Sequence, residues 1–266
     1  MAEREGKIRL DELLVQRGLA DGMDLARRLI MAGEVFVDGQ MVTLPGARVP
    51  VSAVLRLREK PRFVSRGGEK LAAALERFGI DLNGRTCADV GASTGGFTDC
   101  MLKAGASRVY AIDVGYGQLA WELRQDERVV VMERINARYL EALPEPVHFA
   151  SMDVSFISLR HILPNVRRWL LPGGEIVALV KPQFEAARED VGEGGVVRDP
   201  AVHRQVLADA IENAQMALFA VRGLMASPVQ GPAGNVEFLM WAQAAEGVAP
   251  GADADAMIEA ALAEAP

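Results

Sequence analysis

The sequence predicts an α/β protein: a Rossmann-like, mostly parallel seven-stranded sheet preceded by a small α+β unit. Three observations predict it. Apolar runs of strand length alternate with helix-period segments over roughly the last three-quarters of the chain. The first such run, Cys87–Val90, meets a loop with glycines at 91, 95 and 96, and a helical pattern starts at Phe97. The next run, Val109–Ile112, is closed by an acid, Asp113. Strand, glycine loop, helix and a second strand ending in an acid form the opening unit of a nucleotide-type sheet.

The elements follow in order. In residues 7–60, Leu10, Leu13, Leu14 and Leu19 mark a short helix ending at Gly18, and Leu25, Leu29 and Ile30 mark a second ended by Gly33. Val35–Val37 and Gln40–Val42 flank Asp38-Gly39, a hairpin signal. A strand at Ala53–Leu57 precedes the basic run Arg58–Arg62. So small a unit buries little apolar surface and should be marginal alone. Residues 61–66 read as an extended connector, since Pro61 disfavours helix before it. Ser65 is placed to cap a helix over 67–78 with Leu71, Ala74, Leu75 and Phe78 as its apolar stripe. Gly67 and Gly68 weaken a helix start, which points to close backbone approach.

In the second domain, 67–243, strands are expected near 86–90, 108–112, 128–132, 147–152, 174–180, 220–226 and 235–242. Helices are expected near 96–104, 117–125, 158–170 and 200–218, the last opened by Asp199-Pro200 as N-cap and first position. The remaining tail, 244–266, is rich in Ala, Asp and Glu, with one short helix at 256–263 packed loosely or not at all.

Composition narrows the function. Net charge is −7 over 266 residues, so the whole chain is no basic nucleic-acid coat. Residues 7–66, however, hold eleven Lys/Arg against seven Asp/Glu, a local +4 that leaves −11 for the rest. That asymmetry suits a phosphate-bearing partner at the N-terminal end. Two cysteines and three histidines make neither a disulfide framework nor a zinc site. No apolar run reaches the roughly 20 residues of a membrane span, and the charged N-terminus lacks a signal-peptide core. A cytoplasmic protein is expected.

The glycine loop reads G-x-S-x-G-G, neither the dinucleotide spacing nor a Walker loop with its lysine. With Asp113 placed to accept from ribose hydroxyls, it suits an adenosyl compound without a pyrophosphate, and S-adenosylmethionine fits. Alone, the loop does not separate a methyl donor from other adenosine compounds. Four charges then stand at strand ends or beside glycine: Lys70, Asp153, Lys181 and Glu237, the last interrupting the run Val236–Trp241. Carboxyl ends of strands border the ligand crevice in such sheets, and charges costly to bury should pair. Two lysines and two carboxylates have a use: a ribose hydroxyl becomes nucleophilic once its proton is taken. Lys181 is the expected base, Lys70 the neighbouring cation, and Asp153 and Glu237 the orienting groups. Phe184 either stacks on a flipped base or packs in the core, and Arg198, in the glycine loop 192–200, either touches phosphate from a mobile flap or belongs to a plain helix-entry loop.

Two resemblances sharpen this. RLDELLVQRGLA and ARRLIMAGEVFVDGQMV resemble the RNA-binding module of ribosomal protein S4. The resemblance implies that Arg9, Arg17, Arg27 and Arg28 face folded RNA, although Gly22-Met23 stands where many members carry Ser-Arg. SRGGEKL, DVGASTGGFTDCML, MDVSFISL, LVKPQFE, GGVVRDP and NVEF resemble the TlyA (haemolysin A) family, whose catalytic domain is similar to the FtsJ-type ribose 2′-O-methyltransferases. The resemblance implies a Lys70–Asp153–Lys181–Glu237 tetrad and cofactor contacts from Asp89, Gly91, Ser93, Thr94, Gly95, Gly96 and Asp113, with Asn136 near the adenine. It implies methylation of a cytidine ribose in ribosomal RNA. A non-catalytic ribosome-assembly factor and a membrane-active haemolysin are the competing classes. The complete tetrad argues against the first, and the lack of a spanning segment or long amphipathic helix against the second.

Overall fold

The computed structural model describes residues 6–58, 61–247 and 253–265. Glu59 and Lys60 of the basic run lie outside them. The chain divides into two compact units, one up to Pro61 and one from Arg62 onward.

The first unit runs β1 (Lys7–Arg9), α1 (Leu10–Gln16), α2 (Met23–Met31), β2 (Val35–Val37), β3 (Gln40–Met41), β4 (Arg48–Pro50) and β5 (Leu55–Leu57). Both helices end where expected: the left-handed Gly18 and Gly33 close α1 and α2, and Leu19 N–H returns to Leu14 O. Asp38 and Gly39 both have positive φ, at 50° and 83°, the signature of a type I′ turn. They join β2 to β3, and β5 pairs with the other edge of β2. The sequence pattern did not show β1 and β4, which pair with each other. Leu10, Leu13, Leu14, Ala26, Ile30 and Val35 form a buried core.

The second unit runs α3 (Gly67–Phe78), β6 (Thr86–Val90), α4 (Gly96–Lys103), β7 (Arg108–Asp113), α5 (Trp121–Arg124), β8 (Val129–Glu133), β9 (Val147–Met152), α6 (Leu163–Trp169), β10 (Leu170–Val180), α7 (Pro182–Glu185), α8 (Pro200–Met216), β11 (Phe219–Ala226), β12 (Phe238–Ala244) and α9 (Ala254–Ala263). The sheet order is β11-β12-β10-β9-β6-β7-β8. The pairs between β10 and β8 are all parallel, while β12 runs antiparallel to both its neighbours. One reversed strand in seven agrees with the expected sheet.

Several boundaries differ from those expected. The helix expected over 117–125 contracts to α5. The one expected over 158–170 breaks into a 3₁₀ turn, Leu159–His161, and α6, with Pro164 in the first turn of α6. β10 starts earlier, at Leu170, because a bulge between Leu170 and Glu175 absorbs Gly173 and Gly174. β12 starts later, at Phe238, since Asn235 is drawn into the preceding loop by bonds to Val197 N and Gly195 O. Ser65 is not the cap of α3: Arg66 is the N-cap, no side chain caps the helix, and the Ser65 carbonyl accepts from Gly68 N–H. The connector after Pro61 is fastened to α4: Asp99 accepts from Val64 N–H, and Lys103 donates to Arg62 O.

The C-terminal helix corrects the expectation of a loose tail. Asp253 caps it, and Ile258 and Ala261 are buried in the same core as α8 and β11. On the other face of the sheet, α3 stacks Phe78 on Trp241 of β12 with centroids 5.4 Å apart.

Candidate active site

The topology converges charges on one edge of the sheet. Parallel β6, β9 and β10 end there, at Val90, Met152 and Val180, so the next residues are Gly91, Asp153 and Lys181. β12 is antiparallel, so its beginning lies at the same edge: Phe238 pairs with Val180. Glu237, the residue before Phe238, therefore stands at the register of Lys181. Glu237 does not interrupt a strand but immediately precedes one. Lys70 comes from the first turn of α3.

These four residues form two ion pairs. Lys181 Nζ lies 2.5 Å from Asp153 Oδ1 and donates to Ser155 Oγ at 3.1 Å. Lys70 Nζ lies 2.5 Å from Glu237 Oε2. Lys70, Lys181 and Glu237 are buried, while the Asp153 side chain keeps 25% of its surface exposed. All four line one cleft of about 570 Å³. Gln183 lies in its wall, with Nε2 3.5 Å from Glu237 Oε1.

The glycine loop forms the neighbouring wall through Gly91, Ser93, Thr94 and Gly96. Gly91 has φ 86°, and a Cβ there would stand 2.4 Å from Asp153 O. Only a bare backbone lets the ends of β6 and β9 approach so closely. At Gly96 a Cβ would meet Ser65 Oγ at 2.2 Å and Gly68 N at 2.9 Å. Gly96 thus allows the close contact between the starts of α3 and α4, while Gly68 is bare for another neighbour, since a Cβ there would meet Phe63 Cγ at 2.2 Å.

The remaining residues singled out in the sequence fall into different settings. Asp113 accepts from Ser93 N–H at 2.8 Å and Gly115 N–H at 2.6 Å, so it holds the glycine loop in shape. Each of its oxygens keeps a lone pair for a further donor. Gly95, left-handed at φ 97°, turns the chain into α4. Asp89 is fully buried beneath the loop, accepting from Thr98 Oγ1 at 2.6 Å and Ser151 Oγ at 3.3 Å. Burial pushes its carboxyl up to about 7, against the opposing bond from Thr98. It supports the loop from below and does not line the cleft. Asn136 is exposed and closes its own turn by accepting from Arg138 N–H. Phe184 lies in the cleft wall beside Phe156, ring centroids 5.0 Å apart.

Arg198 is exposed, and the glycine segment before it is held in place. Asn235 grips Gly195 and Val197, and the buried His203 lies 3.1 Å from Val197 O through Nε2. In the first unit, Arg9 and Arg27 converge on the buried Asp11, at 2.7 Å and 3.3 Å, and hold its carboxyl below the usual range. Arg17 donates to Val51 O, and Arg28 is exposed. Both thiols are buried and pushed up to about 12, so neither is a nucleophile.

Sequence reasoning missed Phe156, which is 90% exposed at the cleft with φ 62°. It also missed Ser155, Gln183 and Asn235. A large aromatic three residues after the strand-ending Asp153 was the one available signal for Phe156.

The FtsJ-like methyltransferase family matches residues 63–244, and the S4 domain matches residues 8–55. Over 241 residues the chain is 51% identical to YqxC of Bacillus subtilis, named as a candidate rRNA methyltransferase, covering 88% of this chain and 85% of that protein. Over 240 residues it is 48% identical to the 16S/23S rRNA (cytidine-2′-O)-methyltransferase TlyA of Mycobacterium tuberculosis, covering 88% and 89%. The solved structure of a candidate hemolysin from Streptococcus thermophilus superposes with a TM-score of 0.74 at 45% identity, over 97% of this chain and 94% of that one.

Proposed function

The chain belongs to the TlyA family of FtsJ-like methyltransferases, and we propose that it methylates a ribose 2′-hydroxyl of ribosomal RNA, at a cytidine. The observation that carries this reading is the pair of buried ion pairs, Lys181–Asp153 and Lys70–Glu237, in one cleft beside the glycine loop.

The residues present fit S-adenosylmethionine. Gly91 and Gly96 offer bare backbone at the cleft, and the first N–H groups of α4 lack helical partners and attract an anionic group. Asp113 stands at the end of the next strand, where ribose hydroxyls are held in such folds. When bound, S-adenosylmethionine supplies an electrophilic methyl group on a sulfonium. We assign its contacts to Gly91, Ser93, Thr94, Gly95, Gly96 and Asp113, with Asn136 toward the adenine and Asp89 acting through the loop it supports.

The chain's own residues then activate the acceptor. Lys181, as the free amine left once its ammonium has released a proton to solvent, takes the proton of the 2′-hydroxyl, and Asp153 and Ser155 fix the direction of its Nζ. Lys70 offers a second ammonium to the developing alkoxide, aimed by Glu237, which Gln183 steadies from its other oxygen. Such preorganised charge costs no rearrangement at the moment of reaction. Phe156 and Phe184 present ring faces at the mouth, suited to stacking an unstacked base. Residues 7–60 supply the RNA-binding surface through Arg9, Arg17, Arg27 and Arg28, with 61–66 as linker, 67–243 as catalytic domain and Arg198 near phosphate. A ribosomal substrate suits a cytoplasmic protein. No helix among the described residues is long and apolar enough to cross a membrane.

The test is transfer of tritiated methyl from S-adenosylmethionine to purified ribosomal subunits, followed by nucleoside analysis for 2′-O-methylcytidine. Absence of label in RNA would overturn the reading.

A further inference from the structure

We infer that Glu185 is a positioning residue for this reaction: it fastens the segment 153–158 to the segment 181–185, so that Phe156 keeps its place at the cleft. The inference rests on the reaction proposed above. The two segments leave adjacent parallel strands, β9 and β10, and meet at three points. Nearest the sheet, Lys181 meets Asp153 and Ser155. In the middle, Phe184 packs against Phe156. Farthest out, Glu185 accepts from Ser158 Oγ at 2.5 Å and from Leu159 N–H at 2.8 Å. The last fastening is the one that contains no tetrad residue and no aromatic ring.

Phe156 shows why it is needed. Its φ of 62° is left-handed, a strained choice for a bulky side chain. Such a conformation persists only where the surroundings over-determine it. The ring is 90% exposed, so core packing does not hold it. The restraint has to come from the two ends of its loop. Asp153 anchors one end, through Lys181 and through its own N–H to Val90 O. Glu185 anchors the other, where Ser158 opens the 3₁₀ turn Leu159–His161. Burial raises the Glu185 carboxyl, while its bonds from Ser158 and Leu159 oppose that shift. The acid is thus committed to these two donors, whose removal frees the loop to relax.

The test is steady-state methyl transfer to purified ribosomal subunits by wild type, Glu185→Ala, Glu185→Gln, Phe156→Ala and the double variant Glu185→Ala/Phe156→Ala. Glu185→Ala should lower kcat/KM by about 10- to 100-fold, the usual result of a small misplacement, with unchanged S-adenosylmethionine affinity by calorimetry. Glu185→Gln keeps an acceptor for Leu159 N–H and should restore most of the rate. The double variant should be no slower than Phe156→Ala alone. Multiplying effects, or a loss of S-adenosylmethionine affinity, would mean general destabilisation and overturn the proposal. If Glu185→Ala does not fold, Ser158→Ala decides: a reduced rate supports the proposal and a wild-type rate overturns it. A wild-type rate in Glu185→Ala also overturns it and leaves the reaction standing. No transfer by the wild type overturns both.

Discussion

Lys181 and Asp153 are joined across the ends of two neighbouring parallel strands, Nζ to Oδ1 at 2.5 Å, with Ser155 Oγ as the lysine's second partner. The carboxylate thereby orients the ammonium at the edge of the sheet where ligands bind. The lysine is held by residues of the acceptor side of the cleft and not by the glycine loop. Lys181→Ala should therefore lower methyl transfer by about 10²- to 10⁴-fold, the range for a lost general base, while S-adenosylmethionine affinity stays unchanged. Single-turnover transfer and calorimetry check the two halves of this expectation. Undiminished turnover would remove Lys181 from the mechanism.

Asp89 predicts a pH dependence of stability. Its carboxyl rises from 3.8 to about 7 on folding, with burial as the main cause. The folded state therefore binds more protons than the unfolded state between about pH 4 and 7, and stability falls as pH rises through that window. Its contribution is complete below the unfolded value and is lost above the folded one. Asp89→Asn keeps an acceptor for Thr98 but cannot ionise. Relative to wild type it should gain about 1–4 kcal/mol between pH 4 and pH 8. Urea unfolding at several pH values measures the difference, and parallel curves for the two proteins would show that Asp89 titrates normally.

Gly91 and Gly117 make a controlled pair. Both have positive φ, 86° and 73°, but a Cβ at Gly91 meets Asp153 O at 2.4 Å, whereas at Gly117 nothing lies within 4 Å. Gly117→Ala should cost about 1 kcal/mol from backbone strain alone. Gly91→Ala should cost more, about 3 kcal/mol or above once β6 and β9 are forced apart, and should reduce methyl transfer by displacing Asp153. Thermal unfolding of the two variants reads the first expectation and the transfer assay the second. Equal losses would mean that the close approach at Gly91 carries no energy.

The sheet was legible because its strands are apolar runs closed by glycine or by a charge, a pattern that survives without tertiary information. The Asp-Gly turn and the Asp-Pro start of α8 were legible because their chemistry is local. That Asp153 and Lys181 would meet at one edge followed from the rule that strand ends share it, but which carboxylate each lysine takes did not. What escaped depended on partners distant in sequence. The start of β12 is set by Asn235 reaching 38 residues back to Val197. The docking of α9 is set by a surface that α8 and β11 create together. Arg9 and Arg27 looked like free cations until Asp11 proved to be buried between them. Phe156 takes a left-handed backbone that no residue type near it announces.

The arginines of the first unit separate into two kinds, and mutation should tell them apart. Arg27 binds the buried Asp11 at 3.3 Å, alongside Arg9 at 2.7 Å. Arg28, on the same helix, is exposed, and no hydrogen bond or ion pair engages its side chain among the described residues. Arg27→Ala removes one of the two cations from a buried carboxylate and should lower stability by about 1–2 kcal/mol. Arg28→Ala should leave stability within about 0.5 kcal/mol. If Arg28 meets an RNA phosphate, its loss should weaken binding to ribosomal RNA without sequence preference and reduce the slope of log affinity against log salt by about one. Chemical denaturation and salt-dependent filter binding measure the two effects. An unchanged salt slope for Arg28→Ala would remove that residue from the RNA interface, and an undisturbed melting curve for Arg27→Ala would leave Arg9 as the sole effective partner of Asp11.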